Sequence, residues 1–252
     1  MAPSSSAAQP LPCKLCGAPS RLFGVIDFHK SCLEQRGQRL PLSGHPIYYR
    51  RCTQCDFLFT TVFDAWTMQD FQQYIYNEEY LLVDPDYKAV RPLGSASLVA
   101  STFQSARSSM QVLDFGGGAG LLAETLRNQG FSATTYDPFS AFNELPQTQF
   151  NLITCIEVME HLPSPRESVA TMVALLSDPG VILFSTLLQP PSIEAIGLTW
   201  WYAAPRNGHV SLYSAASLAR LFEPHGLKVV SLSDNLHLAY AHLAPFAAHL
   251  AL

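Results

Sequence analysis

From Met110 onward the apolar positions alternate between short continuous runs and stretches with helical spacing. Gln111–Phe115 reads as a buried strand, followed by Gly116–Gly118 and a helix through Gln129, with Gly130 placed as a C-terminal glycine. Phe131–Tyr136 reads as a second strand, and Phe150–Ile156, apolar almost throughout, as another. Pro165–Leu176 has helical spacing with Asp178-Pro179-Gly180 as its stop, and Val181–Leu187 reads as the next strand. Ser214 suits the N-cap of a helix running to about Pro224, with Gly226 behind it. Leu227–Leu232 and Leu236–His242 read as two strands joined by Ser233-Asp234-Asn235. Strands alternating with helices predict an α/β fold, with a mostly parallel sheet covered on both faces and an antiparallel strand from the closing pair.

The N-terminal part is less regular. Met1–Pro12 is rich in Pro, Ala and Ser and reads as a disordered leader. Cys13 to about Thr61 holds short apolar runs (Leu22–Phe28, Ile47–Tyr49, Phe57–Phe59) between turn-like pieces, as in a small unit with a few strands. Asp64–Pro92 is dense in aromatics, among them Trp66, Phe71, Tyr74, Tyr76, Tyr80 and Tyr87, and predicts one or two helices. Ser95–Ser109 predicts a further helix. The expected organisation is a leader over 1–12, a cysteine-bearing segment over 13–62, a helical connector or lid over 63–109 and an α/β domain over 110–252.

Composition narrows the class. Hydrophobic residues make up 48% of the 252 and charged residues 14%, enough apolar side chain to fill a core. The net charge is −5 and there is no long Lys/Arg run, so a nucleic-acid footprint is not expected. No run of about 18 uncharged apolar residues is present, so no membrane span is expected. The N-terminus lacks the basic-then-apolar layout of a secretory signal, and a cytoplasmic monomer or homodimer is the resulting expectation.

Four of the six cysteines form two C-x-x-C pairs, Cys13/Cys16 and Cys52/Cys55. Two residues between thiolates let both point at one ion, and two such knuckles form a closed tetrahedral site for structural zinc. The long stretch between the pairs costs little closure entropy. Disulfides are the less favoured reading in a cytosolic chain. Cys32 and His29 are possible competing ligands with less regular spacing.

The sharpest signal is Val112-Leu113-Asp114-Phe115-Gly116-Gly117-Gly118-Ala119-Gly120, a strand running into a glycine loop that opens a helix. Glycines allow a tight turn and close approach of a ligand to the main chain, and the helix start offers unpaired N–H groups. Asp137 closes the next strand, where an acid can accept the ribose hydroxyls of a nucleoside. Val112–Gly120 resembles the first motif of class I S-adenosylmethionine-dependent methyltransferases. Phe150–Leu162, ending Glu157-Val158-Met159-Glu160-His161-Leu162, resembles that family's fourth strand and the loop after it, except that Asn151 stands where the family usually has Asp.

The resemblance implies a Rossmann-like, doubly wound sheet plus a small N-terminal zinc-ribbon-like unit. It implies S-adenosylmethionine held by Asp114, Gly116, Gly117, Gly118, Gly120, Asp137, Pro138, Phe139, Ile156, Glu157 and Val158, with Tyr80 from the aromatic segment. The reaction implied is methyl transfer to a small-molecule acceptor such as a sugar or other metabolite. His161 and His209 are the candidate bases. His209 belongs to His209-Val210-Ser211-Leu212-Tyr213-Ser214, which resembles an element over the family's acceptor pocket, and Trp200-Trp201-Tyr202 lies nearby. The other reading is that Glu160 and His161 cap the next helix and that His209 bonds its own loop. A four-cysteine unit ahead of a methyltransferase also occurs in bacterial sugar C-methyltransferases, which are longer and carry a further domain, so the acceptor stays open.

Only Pro138–Phe150 separates Asp137 from Asn151, so the family's third strand is expected to be very short or absent. Adenine would then rest on Phe139 and Phe142, with Asn143 or Glu144 as polar partners. Two other functions compete. A nucleotide-cofactor oxidoreductase would want Gly-x-Gly-x-x-Gly, but reading from Gly116 puts Leu121 last and reading from Gly118 puts Ala123 last. A non-catalytic, methyltransferase-like binding or scaffold protein draws support from the short Pro138–Phe150 segment.

Overall fold

The computed structural model describes residues 10–250 of the chain. Most of the expected leader therefore lies outside the described residues, while Pro12 makes an isolated antiparallel bridge with Pro19. In chain order the elements are β1 (Ser20–Asp27), β2 (Pro46–Cys52), β3 (Leu58–Thr60), α1 (Met68–Tyr74), α2 (Tyr80–Val83), α3 (Val90–Thr102), β4 (Gln111–Phe115) and α4 (Leu121–Asn128). Then follow β5 (Ser132–Tyr136), β6 (Phe150–Cys155), α5 (Pro165–Leu175), β7 (Leu176–Ser185), α6 (Ile193–Ile196), β8 (Ser211–Leu212), α7 (Ala215–Phe222), β9 (Lys228–Ser231) and β10 (Leu236–Tyr240).

Six strands form the main sheet in the order β5-β4-β6-β7-β10-β9. β4 pairs in parallel with β5 on one side and β6 on the other, and β6 pairs in parallel with β7. β10 runs antiparallel to both β7 and β9. This is the doubly wound α/β sheet with an antiparallel end that the sequence predicts. Its central strands are largely apolar because both faces are covered. One face packs Ala96, Val99 and Ala100 of α3 and Leu122, Ala123 and Leu126 of α4. The other packs Val169, Met172 and Leu175 of α5 and Leu218, Leu221 and Phe222 of α7. No strand lies between β5 and β6, as the short Pro138–Phe150 segment requires.

Three helix ends behave as their residues dictate. Ser214 accepts from the Ser217 amide in a reciprocal capping box, and Gly130 and Gly226 take positive φ at helix ends. Asp178-Pro179-Gly180 departs from expectation. The helix ends at Leu175 and the chain enters β7 at Leu176, so these three residues form an irregularity within β7. The register jumps from Phe150↔Leu176 to Leu152↔Val181 across them.

The second sheet has the order β1-β2-β3-β8. β8 comes from beyond β7 and pairs antiparallel with β3, Leu58 opposite Leu212 and Phe59 opposite Ser211. The strands around the cysteine pairs thus share a sheet with the segment that contains His209.

Candidate functional site

β4 lies between β5, which follows it, and β6, which lies on its other side, so the sheet's winding direction reverses between β4 and β6. Open α/β sheets bind ligands beyond the carboxyl ends of strands at such a point. The glycine loop leaves β4 there. The Gly116 amide donates to Tyr136 O (2.7 Å), tying the loop to the end of β5. A Cβ at Gly116 would come within 2.5 Å of Val158 Cγ2, and one at Gly117 within 2.0 Å of Asp114 Oδ2. These two positions are glycine because their neighbours touch the main chain. Gly118 has φ +56° and nothing within 4 Å of where a Cβ would stand, so its backbone borders open space.

Asp137 and Asp114 anchor this end. Asp137 Oδ2 accepts from the Gly118 amide (2.8 Å) and Oδ1 from the Phe139 amide (2.7 Å). Two bonds leave spare acceptor capacity on the carboxylate. Asp114 Oδ1 accepts from Thr154 Oγ1 (3.0 Å), while Oδ2 is buried without a partner. Burial, with the neighbouring Asp137 charge adding to it, pushes Asp114 up to about 7. Glu157 follows β6 at φ 57°, its amide donating to Ser185 Oγ (2.7 Å) and its Oε1 accepting from the same hydroxyl (3.0 Å). Arg91 Nε lies 3.7 Å from Glu157 Oε2, and its guanidinium forks onto Asp84 (2.6 and 3.0 Å). Ile156 and Val158 flank Glu157 and are half-buried.

The aromatic segment covers this end. Tyr80 is buried and stacks edge-on against Tyr76 and Tyr87, with its hydroxyl 3.3 Å from Asn207 O. Phe139 meets Phe71 and Tyr76 edge-on or tilted, and Pro138 beside it is exposed. A Cβ at Gly120 would lie 2.9 Å from the Phe142 ring. Asn143 and Glu144 are exposed.

A second group of polar residues collects on the other side of Tyr76. Glu160 is fully buried; Oε1 accepts from the Tyr202 hydroxyl (2.6 Å) and Oε2 has no partner. His161 and His209 meet edge-on with ring centroids 5.0 Å apart, and Tyr202 packs against His209 at 4.3 Å. His209 Nδ1 lies 2.8 Å from Tyr202 O, and His161 Nδ1 lies 3.3 Å from the Tyr76 hydroxyl. Burial raises Glu160 to about 8, with Glu157 adding to it. Burial lowers His161 to about 4 and His209 well below its ordinary value, so both imidazoles are neutral near pH 7. Glu160 and His161 sit in a single 3₁₀ turn, Met159–His161, and Ser164 makes no side-chain cap for α5. His209 does bond its own loop.

The N-terminal strands hold this group in place. The Tyr49 hydroxyl donates to His209 O (2.5 Å), the Thr60 amide to Val210 O (3.1 Å) and the Val210 amide to Glu160 O (2.8 Å). Lys14, inside the first knuckle, donates to Thr60 O (2.8 Å) and Pro163 O (3.1 Å) and pairs with Asp64. The four knuckle cysteines converge. Sγ separations are 3.7 Å for Cys13–Cys55, 3.5 Å for Cys16–Cys52 and 3.6 Å for Cys16–Cys55. Four thiolates bound tetrahedrally at about 2.3 Å stand roughly 3.8 Å apart, so the cluster matches a zinc centre. Main-chain amides of Leu15, Gln54 and Cys55 point at Cys13 and Cys52 Sγ (3.4 Å each). Cys13 is drawn down to about 5 mainly by its hydrogen bond with Cys55, which is raised in turn. Cys32 and His29 are not part of the cluster; His29 Nδ1 meets Pro41 O.

Sequence reasoning missed Arg91 and Tyr49, which have no motif around them; it noted Tyr202 within Trp200-Trp201-Tyr202, but not the hydrogen bond of its hydroxyl to Glu160. Among the described residues, no helix is long and apolar enough to cross a membrane.

Three curated relatives are ubiquinone biosynthesis O-methyltransferases. That of Aeromonas salmonicida is 24% identical over 168 residues, covering 54% of this chain and 68% of the relative. That of Pasteurella multocida is 29% identical over 137 residues (40% and 57%). That of Xanthomonas axonopodis pv. citri is 26% identical over 181 residues (58% and 76%). Among solved structures, an O-methyltransferase family protein from Burkholderia thailandensis aligns with TM-score 0.49 and 13% identity, over 72% of this chain and 64% of that one. Magnesium protoporphyrin IX methyltransferase from Synechocystis PCC 6803, with bound S-adenosylmethionine, aligns with TM-score 0.45 and 13% identity, over 71% and 93%. The methyltransferase-domain family model matches residues 87–232, which hold the glycine loop, Asp137, Glu157 and both histidines, and the chain belongs to that family.

Proposed function

We propose that this protein transfers a methyl group from S-adenosylmethionine to a small-molecule acceptor. The observation that carries the reading is the Asp137 carboxylate, tied to the Gly118 amide at the winding reversal of the sheet, beside a glycine whose backbone borders open space. Asp114, Gly116, Gly117, Gly118 and Gly120 form the loop that the cofactor's amino-acid end would lie against. Asp137, with Pro138 and Phe139 behind it, would accept the ribose hydroxyls. Ile156, Glu157 and Val158 line the same cleft, Arg91 faces Glu157, and Tyr80 belongs to the aromatic cover. Phe142 beside Gly120 suits an adenine face where the family's third strand is missing.

The sulfonium supplies an already activated methyl, so the chain's work is to hold the acceptor in line and keep water out. His161 and His209 bring two neutral imidazoles to the acceptor side, where a ring lone pair can accept the proton of an acceptor hydroxyl. We assign zinc to Cys13, Cys16, Cys52 and Cys55 as a structural ion bracing that side. An acceptor from ubiquinone biosynthesis, the process that the names of the curated relatives give, and a sugar are both within the proposed substrate class.

Calorimetry tests the reading. S-adenosylmethionine binds the wild type, and Asp137→Ala weakens it by about 100-fold, the order expected for losing hydrogen bonds to a charged group. Near-normal binding by that variant overturns the site. Elemental zinc that Cys52→Ser fails to reduce overturns the zinc assignment.

A further inference from the structure

We propose a second metal site, a divalent transition-metal ion bound by Glu160, His161 and His209. The proposal rests on reading this face as the acceptor side, and the ion would present an open position to an oxygen of the acceptor. The geometry rests on which atoms are already engaged. Glu160 Oε1 is taken by the Tyr202 hydroxyl, and the other oxygen, Oε2, is fully buried with no partner. His209 Nδ1 faces a carbonyl, which can only accept, so Nδ1 carries the hydrogen and Nε2 is left as a bare lone pair. His161 Nδ1 faces the Tyr76 hydroxyl; with Nδ1–H donating there, its Nε2 is likewise a lone pair.

Each residue thus has one atom tied to an outer partner and one acceptor left over, the arrangement that orients metal ligands. One ligand atom from each residue lies within 4.8 Å of those of the other two. An ion bonded at about 2.0–2.2 Å needs tetrahedral donors roughly 3.4 Å apart, which small side-chain rotations supply. A single proton satisfies at most two acceptors, whereas one cation can satisfy three. Two imidazoles and one carboxylate suit a transition-metal ion over magnesium or calcium, which prefer all-oxygen shells. Three protein ligands leave a coordination position free, unlike the closed four-cysteine cluster.

Cobalt(II) is the probe, because thiolate and nitrogen–oxygen sites differ in their spectra. The full chain, produced in zinc-depleted, cobalt-supplemented medium and purified without chelator, is incubated with Co²⁺, desalted and assayed for total metal. About two ions per chain are expected, one at the thiolates and one at this site. Glu160→Gln and His209→Ala should each reduce the total to about one while leaving the thiolate-to-cobalt bands intact, which also reports that the fold survives. Tyr202→Phe keeps all three ligands and should weaken the second ion about 10–100-fold, the usual effect of losing an outer partner. A wild type that binds a single ion, or a second ion that persists in Glu160→Gln and His209→Ala, overturns the site. Should those two variants fail to fold, an unchanged second-ion affinity in Tyr202→Phe does the same. S-adenosylmethionine binding by the same sample is read separately by calorimetry, so failure of the metal site and failure of the methyltransferase reading are distinct results.

Discussion

The two ends of the site are built from different materials. At the glycine-loop end, the contacts are made by main chain and by residues close in sequence: Gly116, Gly117 and Gly118, with Asp114 just before them and Asp137 one strand later. At the histidine end, each group comes from a different part of the chain: Tyr49 from β2, Tyr76 from beyond α1, Glu160 and His161 after β6, Tyr202 and His209 before β8. The first end is braced by the parallel sheet. The second is braced by β3 pairing with β8 and by Lys14 reaching from the first knuckle to Pro163. The difference predicts that the two ends can be disturbed separately.

The largest disturbance is loss of the zinc ion proposed at the four cysteines. Structural zinc contributes an apparent ~10–16 kcal/mol to small sites of this kind. Cys52→Ser, or exhaustive chelation, should therefore melt the strands around the knuckles. Hydrogen exchange should show protection lost over residues 46–60 and 209–213. Residues 111–115 should stay protected, because β4 lies between two strands of the other sheet. Simultaneous loss of protection in β4 would mean that the two ends are one cooperative unit.

This contrast also explains what could be read in advance. β4, its glycine loop, α4 and the strand ending at Asp137 were legible because apolar runs, positive-φ glycines and helix ends are local signals. The absent third strand was legible from length alone. The pairing of β8 with β3 was not, since two residues, Ser211 and Leu212, carry too little pattern to announce a strand. Asp178-Pro179-Gly180 misled because those residues usually stop a helix, and here they interrupt a strand whose register is set by β6. His161 and His209 stood out as residue types. Their convergence, and the partnership of Glu160 with Tyr202, depends on tertiary packing that no spacing encodes.

A smaller effect tests the glycine-loop end alone. Asp114 is raised to about 7 by burial, above the ~3.9 of an exposed Asp. In the fold it keeps a proton that the unfolded chain has released. Its contribution to stability is therefore present below about pH 4 and is lost as pH rises through about 7. Asp114→Asn mimics the protonated form and should remove this dependence. Urea unfolding should find the variant gaining of order 2–4 kcal/mol on the wild type between pH 5 and pH 8. Parallel pH curves for the two proteins would show that Asp114 is ionised in the fold.

The finest distinction lies between adjacent glycines. Gly117 is crowded, with Asp114 Oδ2 at 2.0 Å and Thr135 Cγ2 at 2.9 Å from a would-be Cβ. Gly118 is uncrowded but held at φ +56°. Gly117→Ala should cost about 2–3 kcal/mol by overpacking, and Gly118→Ala about 1–2 kcal/mol through backbone strain. Cofactor affinity separates them further. A methyl at 118 projects into the open space that the cofactor is proposed to fill, so Gly118→Ala should weaken S-adenosylmethionine more than its small stability loss suggests. If its affinity matched the wild type, the cofactor would have to pass elsewhere, and the open space beside Asp137 would no longer mark its path.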